Sequence, residues 1–268
     1  MSLPRVAVRG GGDLGTGVAH RLYVCGFPVT ILELPRPRVI RRTVSFAQAV
    51  FAGEHVVEGV LARRDAEPWT PGLVAVRIDP EGLELASLAP DVLVDARMTK
   101  RNQGTHPGQA RVVVGLGPGF EAGRDVHWVV ETQRGHDLGR VVRRAQSDTG
   151  VPGDIGGQTA RRVVKSPASG RFEACVELGD RVDEGQLLGR VGQVEVRSRL
   201  TGLLRGLITS GLEVNQGEKL ADVDPRLDTD LYTISDKARA IAGGVLEAIL
   251  RSEVELSVYP AGESATAG

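Results

Sequence analysis

Cysteine and lysine are scarce in this 268-residue chain, which has two cysteines and only four lysines (Lys100, Lys165, Lys219, Lys237) among 33 basic side chains. Cys25 and Cys175 stand far apart, form no C-x-x-C and lie in apolar patterns. This excludes a disulfide framework and a cysteine-based zinc site, and predicts two packing residues. An excess of one charge is also lacking. The 33 basic residues face 34 acidic ones for a net charge of −1, so no overall field draws the chain to nucleic acid or an anionic membrane, and neither partner is expected. No run approaches the roughly 18 apolar residues a membrane helix needs, and the first residues show no basic stretch leading into an apolar segment, so the expected compartment is the cytoplasm. The length allows two domains, each burying its own core.

What the sequence does have, from its first residues, is a strand, a glycine turn and a helix. Arg5-Val-Ala-Val-Arg9 runs into Gly10-Gly-Gly-Asp13-Leu-Gly15; Leu14, Val18, Leu22 and Cys25 follow on one helical stripe, and Gly26 offers a stop. Pro28-Val-Thr-Ile-Leu-Glu33 reads as a second strand, its acid 18 positions past Gly15. This is a βαβ dinucleotide-binding pattern. Gly10 permits the turn, Gly12 lets a pyrophosphate approach the main chain, Gly15 lets the helix pack on the strand, and the helix-start amides of Asp13 and its neighbours meet the anion. Glu33 would accept bonds from ribose hydroxyls and favours an unphosphorylated ribose. Arg36, Arg38, Arg41 and Arg42 just beyond it leave a 2′-phosphate open. A doubly wound domain with an empty cleft is the bland alternative.

Offset by 32 residues, Val164 to Val191 falls on Val196 to Val223, and eight of the 28 pairs are identical, among them Ser166/Ser198, Gly170/Gly202, Gly179/Gly211 and Gly185/Gly217. Each copy reads strand, turn, strand, turn, strand. One copy has too few strands to bury a face, so two must interleave into a sandwich. Residues 161–226 resemble the lipoyl and biotinyl carrier fold, a barrel-sandwich hybrid. The hairpin Val191-Gly-Gln-Val-Glu-Val196 has no lysine where a carrier needs one, so no lipoate or biotin attachment is expected, and the module is read as a docking or spacing element.

Between these regions, Ile40, Val44, Ala47 and Phe51 predict a core-facing helix ending at Gly53. Strands are predicted at Leu73 to Ile78, Asp91 to Ala96, Arg111 to Leu116 and Val126 to Thr132, in a parallel sheet whose ligands sit at the carboxyl ends of strands. Three segments there are chemically dense. Asp95-Ala-Arg97-Met-Thr-Lys100-Arg101-Asn102 has a composition suited to phosphate or pterin, or to a solvated loop. Gly115-Leu-Gly-Pro-Gly-Phe120 lets backbone approach a ligand. In Asp125 to Asp137, a strand would put Asp125, His127 and Glu131 on one face. His127 could then act as acid or base or, with Glu131 and His136, ligate a metal. No zinc spacing is matched, and the reading adopted is hydrogen-bonded polar residues, with His127, Glu131, His136 and Asp137 as the candidates for chemistry. Asp148 and Asp154 in the glycine-rich stretch before the repeat could line a cleft between modules.

After the repeat, Ser235 caps a predicted helix with Ala238, Ile241, Ala242, Val245 and Ile249 on one stripe. Gly243 and Gly244 point to close contact with another element, so this helix, over about 230–250, is expected to fold back onto a Rossmann-like domain of residues 1–150. A mobile tail is expected over 255–268.

The motifs Val8-Arg-Gly-Gly-Gly-Asp-Leu-Gly15, Leu32-Glu-Leu-Pro35, Ile40-Arg-Arg-Thr43, Asp95-Ala-Arg97, Lys100-Arg101-Asn102, Gly115 to Phe120, Arg134-Gly-His-Asp-Leu-Gly139 and Thr233 to Ala240 together resemble the YqeB family of selenium-dependent molybdenum hydroxylase system proteins. The resemblance spans nearly the whole chain. It implies an accessory or maturation role beside xanthine-dehydrogenase-type enzymes, like that of XdhC-like factors with their Rossmann domain, and supplies no catalytic residue. The expected fold is α/β plus all-β: a Rossmann-like parallel sheet, a lipoyl-like barrel-sandwich module and a return helix. The expected ligand is a dinucleotide, NAD(P) or the dinucleotide form of the molybdenum cofactor. It would sit at Gly10, Gly12, Asp13, Gly15 and Glu33, with Arg97, Lys100 and Arg101 offsetting further negative charge, and the module would present it to a client molybdenum hydroxylase. The alternatives are an NAD(P)-dependent oxidoreductase in which His127 or His136 moves the proton, and a non-catalytic scaffold.

Overall fold

Short runs of valine, leucine and isoleucine build the larger layer of the computed structural model, which describes residues 3–146, 157, 158 and 160–258. Strands covered on both faces need no polar alternation. In chain order the elements are β1 (Val6–Arg9), α1 (Asp13–Val24), β2 (Val29–Glu33), α2 (Ala49–Ala52), β3 (Glu54–Val57), β4 (Val60–Arg64), β5 (Val74–Ile78), α3 (Leu85–Leu88), β6 (Val92–Asp95), β7 (Val112–Leu116), β8 (Trp128–Val130) and β9 (Val141–Val142). They form one nine-stranded sheet in the order β3-β4-β5-β2-β1-β6-β7-β8-β9. Pairing is parallel from β4 to β8, and β3 and β9 close the two edges antiparallel.

Each strand feeds two cores. Val6, Val8, Ile31, Val94 and Val114 point to the face covered by α1 and by a long helix near the end of the chain, α4 (Asp236–Val258). Ala7, Leu32, Leu93, Val113 and Val129 point to the other face, under α3 and Phe120. Each fully buried aliphatic side chain is worth about 1.5–3 kcal/mol, which explains how few helices suffice. The contact of α1 with α4 is close: a Cβ on Gly17 would come within 2.7 Å of the Ala238 Cβ. Gly244 meets the Gly139 carbonyl in the same way, whereas a Cβ on Gly243 would meet nothing within 4 Å. Close contact therefore accounts for one of the two helical glycines. The Ser235 hydroxyl accepts from the Ala238 amide at 3.2 Å, as the cap expected at the start of this helix requires.

The repeat folds into two four-stranded antiparallel sheets. Its strands are β10 (Val163–Lys165), β11 (Gly170–Ala174), β12 (Arg181–Val182), β13 (Leu187–Val191), β14 (Val194–Arg197), β15 (Gly202–Leu207), β16 (Glu213–Val214) and β17 (Lys219–Asp224). One sheet runs β10-β17-β15-β12 and the other β14-β13-β11-β16. Exchanging β10 to β13 for β14 to β17 turns each order into the other, so the 32-residue offset is an internal two-fold relation, and each sheet takes two strands from each copy. Phe172, Leu188, Leu204 and Leu220 fill the space between them.

Several expectations are corrected. Residues 40–51 form no single helix: 3₁₀ turns at Arg42–Val44 and Phe46–Gln48 precede the one-turn α2. The Ser45 hydroxyl donates to the Arg41 carbonyl at 2.8 Å and Ala47 N donates to the Gly11 carbonyl at 2.9 Å, so a local side-chain bond and a tertiary bond replace the helical ladder. Phe51 is exposed. The strand expected over Val126 to Thr132 contains only Trp128–Val130, leaving Asp125, His127 and Glu131 outside it. Both cysteines are exposed free thiols rather than packing residues, Cys25 because it is the residue at which α1 ends. The helix α4 runs to Val258, into the expected tail, whose residues 259–268 lie outside those described. Asp148 and Asp154 lie outside them as well. Among the described residues, no helix is long and apolar enough to cross a membrane.

Candidate functional site

Strand order reverses at β1, whose neighbours β2 and β6 lead the chain in opposite directions across the sheet. A crevice opens beyond the carboxyl ends of strands at such a point. Here it is a cleft of about 480 Å³, lined by Gly10, Gly12, Asp13, Gly15, Glu33 and Arg97 among others. Six of the eight expected ligand-binding residues thus come together.

The glycine turn is held by several bonds. Gly10 has φ +95° and donates to the Leu32 carbonyl at 2.8 Å, while the Thr16 hydroxyl donates to the Gly11 carbonyl at 2.8 Å and accepts from Phe46 N at 2.8 Å. A Cβ on Gly15 would overlap the Gly10 carbonyl oxygen. Gly12 differs: its φ is −71°, and a Cβ there would meet only Val39 Cγ1, at 3.4 Å. The fold does not demand a glycine at 12. No side chain caps the first turn of α1, so its leading amides keep no intrahelical partner, and the residues that carry them, Asp13, Leu14 and Gly15, line the cleft.

Glu33 is buried at the end of β2, where it accepts from Gly11 N at 2.6 Å and Leu34 N at 2.7 Å, one bond per oxygen. Burial pushes its pKa up against these two amides. Each oxygen keeps a further lone pair for a ribose hydroxyl. Asp13 pairs with Arg41 at 3.0 Å.

The cations are more committed than the sequence indicates. Arg97 bonds Asp95 through Nε at 3.0 Å and Nη2 at 2.6 Å, and Thr105 donates to the same carboxylate at 2.6 Å. Burial raises the Asp95 pKa, but the Arg97 hydrogen bond and charge, with Thr105, overcome it and hold the acid below the usual aspartate range. Lys100 lines a separate hollow with Arg124 and Arg144, and Arg101 lines neither. Sequence reasoning missed Arg9 and Asp79, which also line the cleft. Arg9 is buried and donates to the Pro80 carbonyl at 3.3 Å; Asp79 accepts from Leu83 N at 2.8 Å and Glu84 N at 2.9 Å. A cation in the last position of an apolar strand is the signal that could have found Arg9.

The four candidates for chemistry do not assemble. His127 precedes β8, at the end of the sheet opposite the cleft, and its Nδ1 accepts from Val113 N at 2.9 Å; burial lowers its pKa. Glu131 is buried and accepts from three amides, Thr132, Gln133 and Gln146, each at 2.7 Å, which makes it a loop clamp. His136 and Asp137 are exposed, and Asp137 pairs with Arg140 at 3.3 Å. Among the described residues no group of three or more His, Cys, Asp or Glu is placed to hold a metal ion.

No protein-family profile matches the chain. Among solved structures it is similar to a succinylglutamate desuccinylase/aspartoacylase of Rhodobacter sphaeroides (24% identity, 25% of this chain and 22% of that one, TM-score 0.22), the ectoine utilization protein EutE (DoeB) of Ruegeria pomeroyi in its apo form (16%, 83% and 86%, 0.26) and an aspartoacylase family protein of Mesorhizobium loti (13%, 82% and 85%, 0.28). These scores are too low to bear on fold or chemistry. In sequence it is 50% identical over 254 residues, 91% of its length, to the uncharacterized protein YqeB of Escherichia coli (strain K12). It spans 47% of that relative. Identity at half of the aligned positions, over nearly the whole chain, supports the YqeB family name.

Proposed function

We propose that the cleft at the end of β1 holds a nucleotide-containing ligand, a dinucleotide such as NAD(P) or the dinucleotide form of the molybdenum cofactor, and that the chain serves molybdenum hydroxylases of the selenium-dependent system as an accessory or maturation protein. The carrying observation is Gly12, a glycine that its own backbone does not require, beside uncapped helix amides in a cleft of about 480 Å³. The strand order β5-β2-β1-β6-β7-β8 is that of a Rossmann sheet, in which this turn meets pyrophosphate. The lining includes Arg9, Arg38 and Arg97 but also Asp13, Glu33, Asp79 and Glu81, so the grip on a diphosphate falls to main-chain amides. The two-sheet module, read as a lipoyl-like barrel-sandwich without the carrier lysine, would present the ligand to its client enzyme.

Titrating the purified chain with NAD⁺, NADP⁺ and molybdenum cofactor dinucleotide by calorimetry tests this. Saturable one-to-one binding of at least one is expected; heats indistinguishable from dilution for all three overturn the reading.

A further inference from the structure

Four arginines follow Glu33, the region from which a 2′-phosphate is met when a ribose carries one. The structure commits three of them elsewhere. Arg41 binds Asp13 and the Thr233 carbonyl, and Arg42 donates to the Leu207 carbonyl at 2.8 Å. Arg38 lines the cleft with Glu33, yet its Nε and Nη2 meet the two oxygens of Glu218 at 2.5 and 2.6 Å, and Nη2 also donates to the Glu213 carbonyl at 2.7 Å. Arg36 is exposed and is not part of the cleft lining.

The internal repeat shows what Glu218 adds. It sits in the turn between β16 and β17, where its Oε2 accepts from Asn215 N at 3.0 Å. Its counterpart 32 residues earlier is Gln186, whose Oε1 accepts from Asp183 N at 2.9 Å in the same turn of the other copy. The turn requires an acceptor and no charge. The negative charge occurs only in the copy that faces Arg38.

We propose that Glu218 is a positioning residue that keeps the Arg38 guanidinium engaged at the rim of the cleft and unavailable to a phosphate on the ribose, so that the site selects nucleotides with a free 2′-hydroxyl and rejects 2′-phosphorylated ones. This rests on the nucleotide reading and deepens it. NAD⁺ and the molybdenum cofactor dinucleotide belong to the accepted class, NADP⁺ to the rejected one.

The test compares Kd for NAD⁺ and NADP⁺ in the full chain and in Glu218→Gln, a substitution that copies the sister turn and so preserves its hydrogen bond. The wild type is expected to favour NAD⁺. In Glu218→Gln, NADP⁺ binding tightens by roughly tenfold, the scale of one freed charge-assisted hydrogen bond to phosphate, while NAD⁺ binding stays within about twofold. Adding Arg38→Gln removes the gain, which a merely structural role for Glu218 would not predict. A wild type that binds NADP⁺ as tightly as NAD⁺, or an unchanged ratio in a Glu218→Gln protein that still binds NAD⁺, overturns the selectivity and leaves the nucleotide reading standing. A wild type that binds neither NAD⁺ nor NADP⁺ overturns the selectivity, and one that also fails to bind the molybdenum cofactor dinucleotide overturns both.

Discussion

The nine-stranded sheet and the repeat module are both rich in glycine, and they use it differently. In the module, glycines recur at matching positions with matching backbone: Gly179 and Gly211 have φ +95° and +85°, and Gly185 and Gly217 both have +82°. Each pair performs the same chain reversal twice, as scaffold. In the sheet, the glycines near the cleft occur once and fall into two kinds. Gly10 and Gly15 are imposed by a left-handed φ and a close carbonyl, whereas Gly12 has room for a side chain and an ordinary φ. At the start of a helix that lines a cleft, a glycine that is neither repeated nor sterically required marks the place where something other than the chain comes close.

Several acids show a similar contrast. Around the sheet, Glu33, Asp79 and Glu131 are satisfied by main-chain amides and thereby hold loops in place. In the module, Asp222, Asp224 and Glu195 are satisfied by arginines. Beside the cleft, Asp95 meets an arginine and a hydroxyl as well as an amide, and Asp13 pairs with Arg41.

The largest effect expected from this contrast is Gly15→Val. Its side chain would overlap the Gly10 carbonyl, and backbone cannot yield as a flexible side chain does, so urea denaturation should show a loss of about 3 kcal/mol or more. A loss below 1 kcal/mol would place Gly15 with Gly12 and break the distinction. Asp95→Asn comes next. It leaves Arg97 largely enclosed and without its counter-charge, at a cost of about 2–3 kcal/mol, less than for a fully buried pair because the arginine is partly hydrated. The pH dependence follows from the depressed pKa. Wild-type stability from this group is fully present above the usual aspartate value near 4 and is lost as pH falls through the lower folded value, so the variant should lose less stability than wild type below about pH 4. Equal acid profiles would remove Asp95 from the account.

Gly12→Ala is smaller in stability and sharper in meaning. Replacing glycine by alanine at a helix N-cap costs less than about 1 kcal/mol, but the added methyl stands beside Val39 where a diphosphate would approach, so ligand affinity should fall by about tenfold or more. Unchanged affinity would return Gly12 to the scaffold class.

Much of this contrast was legible in the chain. Parallel strands declare themselves as apolar runs because both faces are buried, so β1, β2, β5, β6 and β7 lie within a residue or two of where the pattern puts them. The repeat was readable because its glycines recur at one offset. The hairpin β3–β4 went unread although Glu58-Gly59 between valines is a turn signal, with φ +44° and +81°. The helix expected over Ile40 to Phe51 failed because 3₁₀ turns bury Val44 and Ala47 equally well. The partners of charges were out of reach: Arg38 and Glu218 are 180 residues apart, and nothing local to either predicts the other.

The smallest effect concerns the helix that covers the sheet. Gly243 and Gly244 are neighbours in α4 with nearly identical local sequence, and helix propensity alone treats them alike. Their surroundings do not: Gly244 abuts the Gly139 carbonyl and Val130, while Gly243 has nothing within 4 Å. Gly243→Ala should therefore stabilise the chain by about 0.5–1 kcal/mol through a less disordered unfolded state and a better helix former, whereas Gly244→Ala should destabilise it. Opposite signs at adjacent positions in one denaturation series would show that contact with the sheet, rather than propensity, requires the glycine at 244. Equal signs would mean that α4 does not pack on β8 and the Gly139 loop as described.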